Sequence, residues 1–297
     1  MQPTAPPVFR FAPSPNGLLH LGHAYSALLN QRFCNEMAGR YLLRLEDIDL
    51  TRCTPQHEEQ MLEDLRWLGI DWEEPVRRQS EHFEQYETAL SNLRARGLVY
   101  PAFMTRGEIK RAVSEFEATG ATWSRDPDGS PHYPGPERDW TVAQCDAMRR
   151  THPKHAWRLN MKRAMEQLND SLTWTEIDLG GDGQEQAVVA SPENWGDVIL
   201  ARSDTPTSYH LAVTVDDALQ GVSHVVRGRD LYQATAVHRV LQSLLELPEP
   251  LYHHHDLIVD KTGRKLSKSD GDVSLNALRA NGVNSAEIDR FFAFSVA

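Results

Sequence analysis

The chain has 297 residues, of which 40% are hydrophobic and 25% charged, and it carries a formal net charge of −11. This composition is typical of a globular protein with one large or two small domains. The acidic net charge argues against a protein that binds nucleic acid over its whole surface, but it allows a local basic face. Since no apolar run approaches the length of a membrane span and no charged-then-apolar leader is visible, we expect a cytoplasmic protein without a membrane segment.

The chain begins with a predicted strand, a tight loop and a helix. The apolar run 8–11 predicts the strand, and apolar residues at helical spacing after His20 predict the helix, with Gly39 as its C-terminal cap. The loop between them contains residues that break regular structure: Pro13, Pro15, Asn16 and Gly17.

Two histidines stand at the start of this helix. His20 and His23 are three residues apart and share a face, while Gly22 lets a ligand approach the backbone. A helix N-terminus attracts anions, so the pair predicts a phosphate site. For this pair alone, a capping histidine beside a surface histidine is the alternative.

Strands and helices then alternate, which predicts a parallel α/β sheet. A strand is expected at 40–49 and another at 98–102. The helices between them are expected at 56–68 and, with Ser80 as N-cap, up to Gly97. Acidic residues cluster where the first of these strands ends, either to hold an ammonium group or to cap the next loop: Glu46, Asp47 and Asp49.

Residues 103–185 change in character and are interpreted as an insertion. Helices are expected at 105–118 and 139–150, and strands at 155–162 and 171–179. Cations and aromatic rings are interleaved there, as in surfaces that stack unpaired bases, although a solvated face over core aromatics fits as well. They include Arg106, Lys110, Arg111, Trp123, Arg125, Tyr133, Trp140, Arg149, Arg150, Lys154, Trp157, Arg158, Lys162 and Arg163.

The sheet pattern returns with strands expected at 197–202 and 209–215, the second ending at Asp216 and Asp217. The segment 225–228 follows, then a helix through 231–244 and a strand at 252–259. The last strand contains three adjacent histidines, 253–255. Because neighbouring strand residues point to opposite faces, they are interpreted as structural rather than as metal ligands.

Near the C-terminus, KLSKS at 265–269 follows a glycine-bounded turn. Two lysines on such a loop suit a mobile phosphate clamp, since lysine acts as a point charge against negative charge at phosphorus. The remaining residues predict a short amphipathic tail. We assign no metal site, because the three cysteines are scattered without ligand spacing: Cys34, Cys53 and Cys145.

Two motifs in a fixed order carry a family resemblance. PSPNGLLHLGH at 13–23 and KLSKS at 265–269 match the HIGH and KMSKS motifs, so the chain resembles a class I aminoacyl-tRNA synthetase. The resemblance implies an α/β fold, with a Rossmann-like parallel-sheet catalytic domain, an inserted α+β subdomain and a short C-terminal helical tail. It also implies ATP and Mg²⁺, with His20, Gly22, His23 and Lys268 at ATP and with His20, His23, Lys265 and Lys268 as catalytic residues.

Within that class, the segments 9–23, 42–52 and 209–231 resemble the glutamate branch. A substrate with a side-chain carboxylate calls for guanidinium groups. The resemblance implies that Arg10 and Arg227 contact L-glutamate and that Glu46 holds its ammonium group. The other implied pocket residues are Phe11, Ala12, Pro13, Ser14 and Tyr209.

The chain further resembles the short glutamyl-queuosine tRNA(Asp) synthetases, because no anticodon-binding domain follows KLSKS and Val213 replaces the usual asparagine. That family activates glutamate with ATP and attaches it to the queuosine base in the anticodon loop of tRNA(Asp). We expect a monomer. Zinc is not expected, since the stretch after Tyr100, which carries Cys-x-Cys in some members, has no cysteine here.

The resulting division assigns 1–102 and 186–250 to the two halves of the catalytic domain. Residues 103–185 form the inserted tRNA-contacting subdomain, and 251–297 hold the KLSKS loop and tail. Three alternatives remain: a trimmed glutamyl-tRNA synthetase charging the 3′ end of tRNA(Glu), another α/β nucleotidyl transferase, and a non-catalytic regulator that binds glutamate or tRNA.

Overall fold

A computed structural model gives the structure of the protein and describes residues 5–168, 171–258 and 273–293. Lys265, Lys268 and the whole KLSKS segment lie outside these ranges, so their roles stay predictions. The part of the chain that is described contains no helix long and apolar enough to cross a membrane.

Strands in the described residues form two sheets. In chain order they are β1 (Val8–Phe11), β2 (Arg40–Leu45), β3 (Glu73–Arg78), β4 (Val99–Ala102), β5 (Ala156–Leu159), β6 (Thr173–Ile177), β7 (Glu185–Val189), β8 (Ile199–Arg202), β9 (His224–Gly228) and β10 (Leu251–His255). The large sheet has the order β3-β2-β1-β9-β10-β6-β7 and is parallel except for the β6–β7 pair. The small sheet, β4-β5-β8, is antiparallel.

Helices cover both faces of the large sheet. They are α1 (Leu21–Glu36), α2 (Pro55–Trp67), α3 (Phe83–Ala95), α4 (Arg106–Glu117), α5 (Val142–Thr151), α6 (Met161–Leu168), α7 (Tyr209–Leu219), α8 (Thr235–Leu245), α9 (Leu275–Ala280) and α10 (Ser285–Ala293). The strand β1 is buried along its whole length: Val8 packs into one apolar core, and Phe9 and Phe11 into the other. This is a doubly wound α/β fold, and the predicted fold class is confirmed.

In the large sheet, β1 lies between β2, the next strand in the chain, on one side and β9, a much later strand, on the other. The carboxyl ends of β1 and β9 therefore flank the point where the strand order reverses. In open α/β sheets, ligands bind in the crevice at this point. The fold thus places Arg10 of β1 and Arg227 of β9 beside the expected binding crevice.

The prediction of a strand at 209–215 is wrong. These residues belong to helix α7, whose N-cap Ser208 accepts a hydrogen bond from the Leu211 amide. Residues 211–217 are all buried, so the helix has no polar stripe to reveal its period. As a consequence, Asp216 and Asp217 lie inside a buried helix rather than at a strand end.

Two predicted caps and one missing strand also need correction. Ala38, and not Gly39, adopts the left-handed conformation after α1, with φ 49°, and an added Cβ on Gly39 would lie 2.8 Å from the Pro7 carbonyl oxygen. Helix α3 begins after His82, because Ser80 instead donates to Asp47 from its amide and hydroxyl groups. The edge strand β3 was not predicted, since EEPVRR has little apolar character.

Sheet membership does not follow the predicted limits of the insertion. The strand β6 lies within 103–185 and β7 begins at its last residue, yet both strands extend the large sheet. The small sheet takes β4 and β8 from outside that range. The domain limits themselves stay a prediction.

Near the start of the insertion, the Tyr133 hydroxyl accepts hydrogen bonds from the Phe103 and Met104 amides and donates to buried Glu137. These bonds tie the loop after β4 to the neighbouring segment.

Candidate active site

A cavity of about 290 Å³ opens at the carboxyl ends of β1, β2 and β9. Every glutamate or ATP residue expected from the sequence that lies in the described ranges lines it: Arg10, Phe11, Ala12, Pro13, Ser14, His20, Gly22, His23, Glu46, Tyr209 and Arg227. The structure brings these residues together from four separate segments. Sequence reasoning missed further lining residues, among them Ser26, Asp230, His255 and Leu257.

The first wall of the cavity is the start of α1. His20 is the N-cap, and its Nδ1 accepts a hydrogen bond from the Gly22 amide at 3.1 Å. The His23 Nδ1 accepts from the His20 amide at 3.2 Å. Each neutral ring must therefore carry its proton on Nε2, which makes Nε2 a donor suited to phosphate oxygens. A Cβ on Gly22 would lie 3.0 Å from the His20 ring, so a side chain there would displace it.

Arg10 also lines the cavity and belongs to a buried ion network. Its Nε donates to Asp217 of α7 at 3.1 Å, and Arg44 Nη1 donates to the same carboxylate oxygen at 2.8 Å. Arg10 and Asp217 are 4% and 6% exposed, and Arg44 is fully buried. In the described part of the chain, Asp217 engages only Nε of Arg10, which leaves the two Nη groups available to a ligand.

Glu46 follows β2 at the same end of the cavity. Burial raises the pKa of its carboxyl group to about 7, against the opposing effect of the Arg44 and Arg10 guanidinium groups. The Arg44 Nη2 lies 3.5 Å from Glu46 Oε1. Since Arg44 and Arg10 are already shared with Asp217, Glu46 is only partly compensated and can accept a cationic group.

Arg227 has different partners from Arg10. Its Nε donates to His254 Nε2, its Nη1 to His238 Nδ1, and its Nη2 to Thr235 Oγ1 and the Leu231 carbonyl, at 3.1, 3.2, 2.7 and 3.3 Å. All of these acceptors are neutral groups. Among the described residues, no carboxylate lies within ion-pair distance of Arg227, although the residue is only 6% exposed. A buried cation without a countercharge is costly, so this group is suited to an anionic ligand.

Two imidazoles contact Arg227 directly and a third contacts one of them, and the arginine determines the tautomers of the first two. Because His254 Nε2 accepts from Arg227, its Nδ1–H donates to Glu176 at 2.9 Å. Likewise, His238 Nδ1 accepts, and its Nε2–H donates to His210 Nδ1 at 3.2 Å. Burial, with Arg227 nearby, lowers the pKa of His210 to about 4 and that of His238 well below its ordinary value. Both rings therefore stay neutral and leave the positive charge on Arg227.

Tyr209 stands between this cavity and a second one of about 430 Å³, and it lines both. The second cavity lies between the large sheet and the small sheet, with His210, Tyr133 and Arg158 in its wall. A ligand in the second cavity would therefore approach a glutamate-sized ligand in the first across Tyr209. This arrangement suits a two-substrate transfer.

The sheet order, the switch-point cavity and the two histidines at a helix start define a nucleotide-binding α/β enzyme. The chain belongs to the family of class I tRNA synthetases for glutamate and glutamine (E and Q), catalytic domain, whose family model matches residues 8–294. It is an enzyme, a ligase of the aminoacyl-tRNA synthetase type, and this class uses ATP. The resemblance expected from the sequence is confirmed.

Two relatives and one solved structure illustrate the similarity. A protein of Rhodobacter capsulatus named Glutamyl-Q tRNA(Asp) synthetase is 44% identical over 95% of this chain and 98% of its own length. A Glutamate–tRNA ligase of Parasynechococcus marenigrum is 34% identical over 95% of this chain and 56% of its own. The crystal structure of a glutamate tRNA ligase from Elizabethkingia meningosepticum, in complex with its amino acid, matches 89% of this chain and 52% of that chain, with TM-score 0.71 and 27% identity.

Proposed function

We propose that the protein activates L-glutamate with ATP and transfers it to the queuosine base in the anticodon loop of tRNA(Asp). The observation that carries the glutamate part is Arg227, a buried guanidinium group that lines the cavity and has no carboxylate partner among the described residues. The substrate's side-chain carboxylate supplies that partner, together with the Nη groups of Arg10. Glu46 takes the ammonium group, and this arrangement leaves the α-carboxylate free to react.

In the first step, the α-carboxylate of glutamate attacks the α-phosphorus of ATP and pyrophosphate leaves. The Nε2–H groups of His20 and His23 hold phosphate oxygens, and Lys265 and Lys268 stabilise the negative charge that develops. The described residues contain no group of three or more His, Cys, Asp or Glu side chains that could hold a metal ion. When bound, Mg²⁺ would neutralise part of the negative charge on the phosphate oxygens of ATP, which are the ligands it prefers.

In the second step, a hydroxyl group of the queuosine ring attacks the glutamyl-adenylate and AMP leaves. The second cavity beside Tyr209 is the proposed place of the modified base. The relative that matches over 98% of its own length carries the name Glutamyl-Q tRNA(Asp) synthetase, which supports this acceptor over the 3′ end of tRNA(Glu).

The test is incorporation of labelled glutamate into four matched RNAs. We expect incorporation into queuosine-containing tRNA(Asp) and into the same tRNA without its 3′-terminal adenosine. No label should enter tRNA(Asp) with guanosine in place of queuosine, or tRNA(Glu). Label in tRNA(Glu) that depends on its terminal adenosine would identify a glutamyl-tRNA synthetase instead. Binding of glutamate without any incorporation would indicate a non-catalytic regulator.

Glutamate binding should depend on pH through Glu46. The pKa of its carboxyl group is raised to about 7, and only the ionised form attracts the ammonium group of the substrate. Affinity measured by calorimetry should therefore weaken as pH falls below about 7, by up to tenfold per unit. In Glu46→Gln the affinity should be lower and nearly independent of pH between 5.5 and 8 (about the range in which Glu46 titrates). An unchanged pH profile in this variant would contradict the assignment.

A further inference from the structure

A groove of about 410 Å³ lies on the opposite face of the small sheet from the second cavity. On β5, neighbouring residues point to opposite faces: Arg158 lines the second cavity, whereas Trp157 lines this groove. We call it the tryptophan groove. Four arginines from separate segments line it, together with Trp157, Trp140, Cys145 and Asp146: Arg94, Arg138, Arg149 and Arg163.

Two of the arginines pack on the same indole. The guanidinium carbon of Arg94 lies 4.2 Å from the ring centroid of Trp157, and that of Arg149 lies 5.0 Å from it. Stacking on an aromatic face restricts the guanidinium group while its N–H edge stays able to donate. The two side chains are therefore prepared to bind an oxyanion with little further loss of freedom.

The positive charge of the tryptophan groove is only partly compensated. Arg94 contacts Glu87 at 3.4 Å, Arg149 contacts Asp146 at 3.3 Å and Arg138 contacts buried Asp197 at 3.4 Å, all at distances beyond those of a short charge-assisted hydrogen bond. Arg163 donates to the Gly97 carbonyl, which brings no charge. In the described ranges, the buried Nε of Arg149 has no hydrogen-bond partner. In a chain of net charge −11, such a concentration of arginine needs an explanation.

We propose that the tryptophan groove binds the phosphodiester backbone of the bound tRNA at a place remote from the reacting base. Closely spaced guanidinium groups match phosphate geometry, and the exposed side chain of Val142 and the partly exposed ring of Trp140 at the groove can cover a sugar or base. This proposal rests on the proposed function and adds a second RNA contact to it. It also explains how an acidic protein holds an acidic RNA, through one confined basic surface.

The test compares Arg149→Gln with Arg150→Gln, which removes the same charge from an exposed position of the same helix outside the groove. Binding of fluorescent queuosine-containing tRNA(Asp) is measured by anisotropy at several salt concentrations. We expect Arg149→Gln to weaken binding roughly tenfold at 0.1 M salt and to lower the salt-dependence slope by about one, because the variant neutralises one phosphate fewer. Arg150→Gln should change the affinity less than twofold.

A second variant, Trp157→Leu, removes the aromatic platform without changing the charge. It should weaken tRNA binding severalfold with little change in the salt slope, and thermal unfolding checks that each variant is folded. If Arg149→Gln and Arg150→Gln bind tRNA with equal affinity, and both are folded and still transfer glutamate to queuosine, the groove does not bind tRNA. The proposed function would be unaffected by that result. The converse result would be that tRNA(Asp) is not a substrate while Arg149→Gln still lowers the salt-dependence slope for another tRNA. That result would support tRNA binding in the tryptophan groove and contradict the proposed acceptor.

Discussion

Arg227→Met is expected to raise the glutamate concentration needed for adenylate formation by a factor of roughly 30 to several thousand, while the ATP requirement stays nearly unchanged. This range corresponds to about 2–5 kcal/mol for removing a charge-assisted hydrogen bond to a buried carboxylate. The reason is specific to Arg227: its described partners are neutral, so its charge is available in full to the substrate. Methionine keeps an unbranched apolar stem in this place without the charge.

The measurement is glutamate- and ATP-dependent pyrophosphate exchange, combined with thermal unfolding. Glutamate should raise the melting temperature of the wild-type protein and leave that of Arg227→Met unchanged, because a ligand stabilises only the protein that binds it. Arg239→Met is the matched control: Arg239 lies on α8, pairs with Glu249 and does not line the cavity. Equal increases in the glutamate and ATP requirements of Arg227→Met would remove Arg227 from the glutamate site.

Asp217→Ala is expected to reduce the free energy of unfolding by about 3–5 kcal/mol, since it leaves two buried guanidinium groups without their shared carboxylate. Arg10 and Arg44 both donate to Asp217 Oδ1, and Arg44 is fully buried. The same change frees Arg10, so the glutamate requirement should increase as well. Chemical denaturation measures the first effect, and pyrophosphate exchange measures the second.

Acid titration gives an independent check on Asp217. Burial opposes its ionisation, but Arg10 and Arg44 outweigh burial and hold the pKa below its ordinary value. A carboxylate with a lowered pKa adds stability above its unfolded-state pKa, and that stability is lost as pH falls through the folded value. The stability gap between wild type and Asp217→Ala should therefore narrow in acid. Asp204→Ala, at an exposed position, should change the stability by less than about 0.5 kcal/mol; a similar loss in both variants would contradict the network.

The sequence determined the first strand, loop and helix of the fold and identified many of the residues that line the cavity. The strand at 8–11, the breaking loop and the histidine-capped helix start are local features, and local features can be inferred from neighbouring residue types. The acidic cluster after β2 was found in the same way, whereas Arg227 of β9 was identified through the family resemblance. The two lysines of KLSKS were also identified from sequence alone, and their roles remain predictions.

Tertiary structure decided how charge is distributed over that site. The sequence treats Arg10 and Arg227 alike, yet Arg10 is neutralised by Asp217, 207 positions away, whereas Arg227 is surrounded by neutral imidazoles and a hydroxyl group. The helix α7 that supplies Asp217 was mistaken for a strand, because burial on every side erases the polar stripe that distinguishes a helix from a strand. Local pattern thus revealed which groups are present, and only long-range packing fixed which of them keep their charge for a substrate, since electrostatic energy depends on distance in space and on burial rather than on separation along the chain.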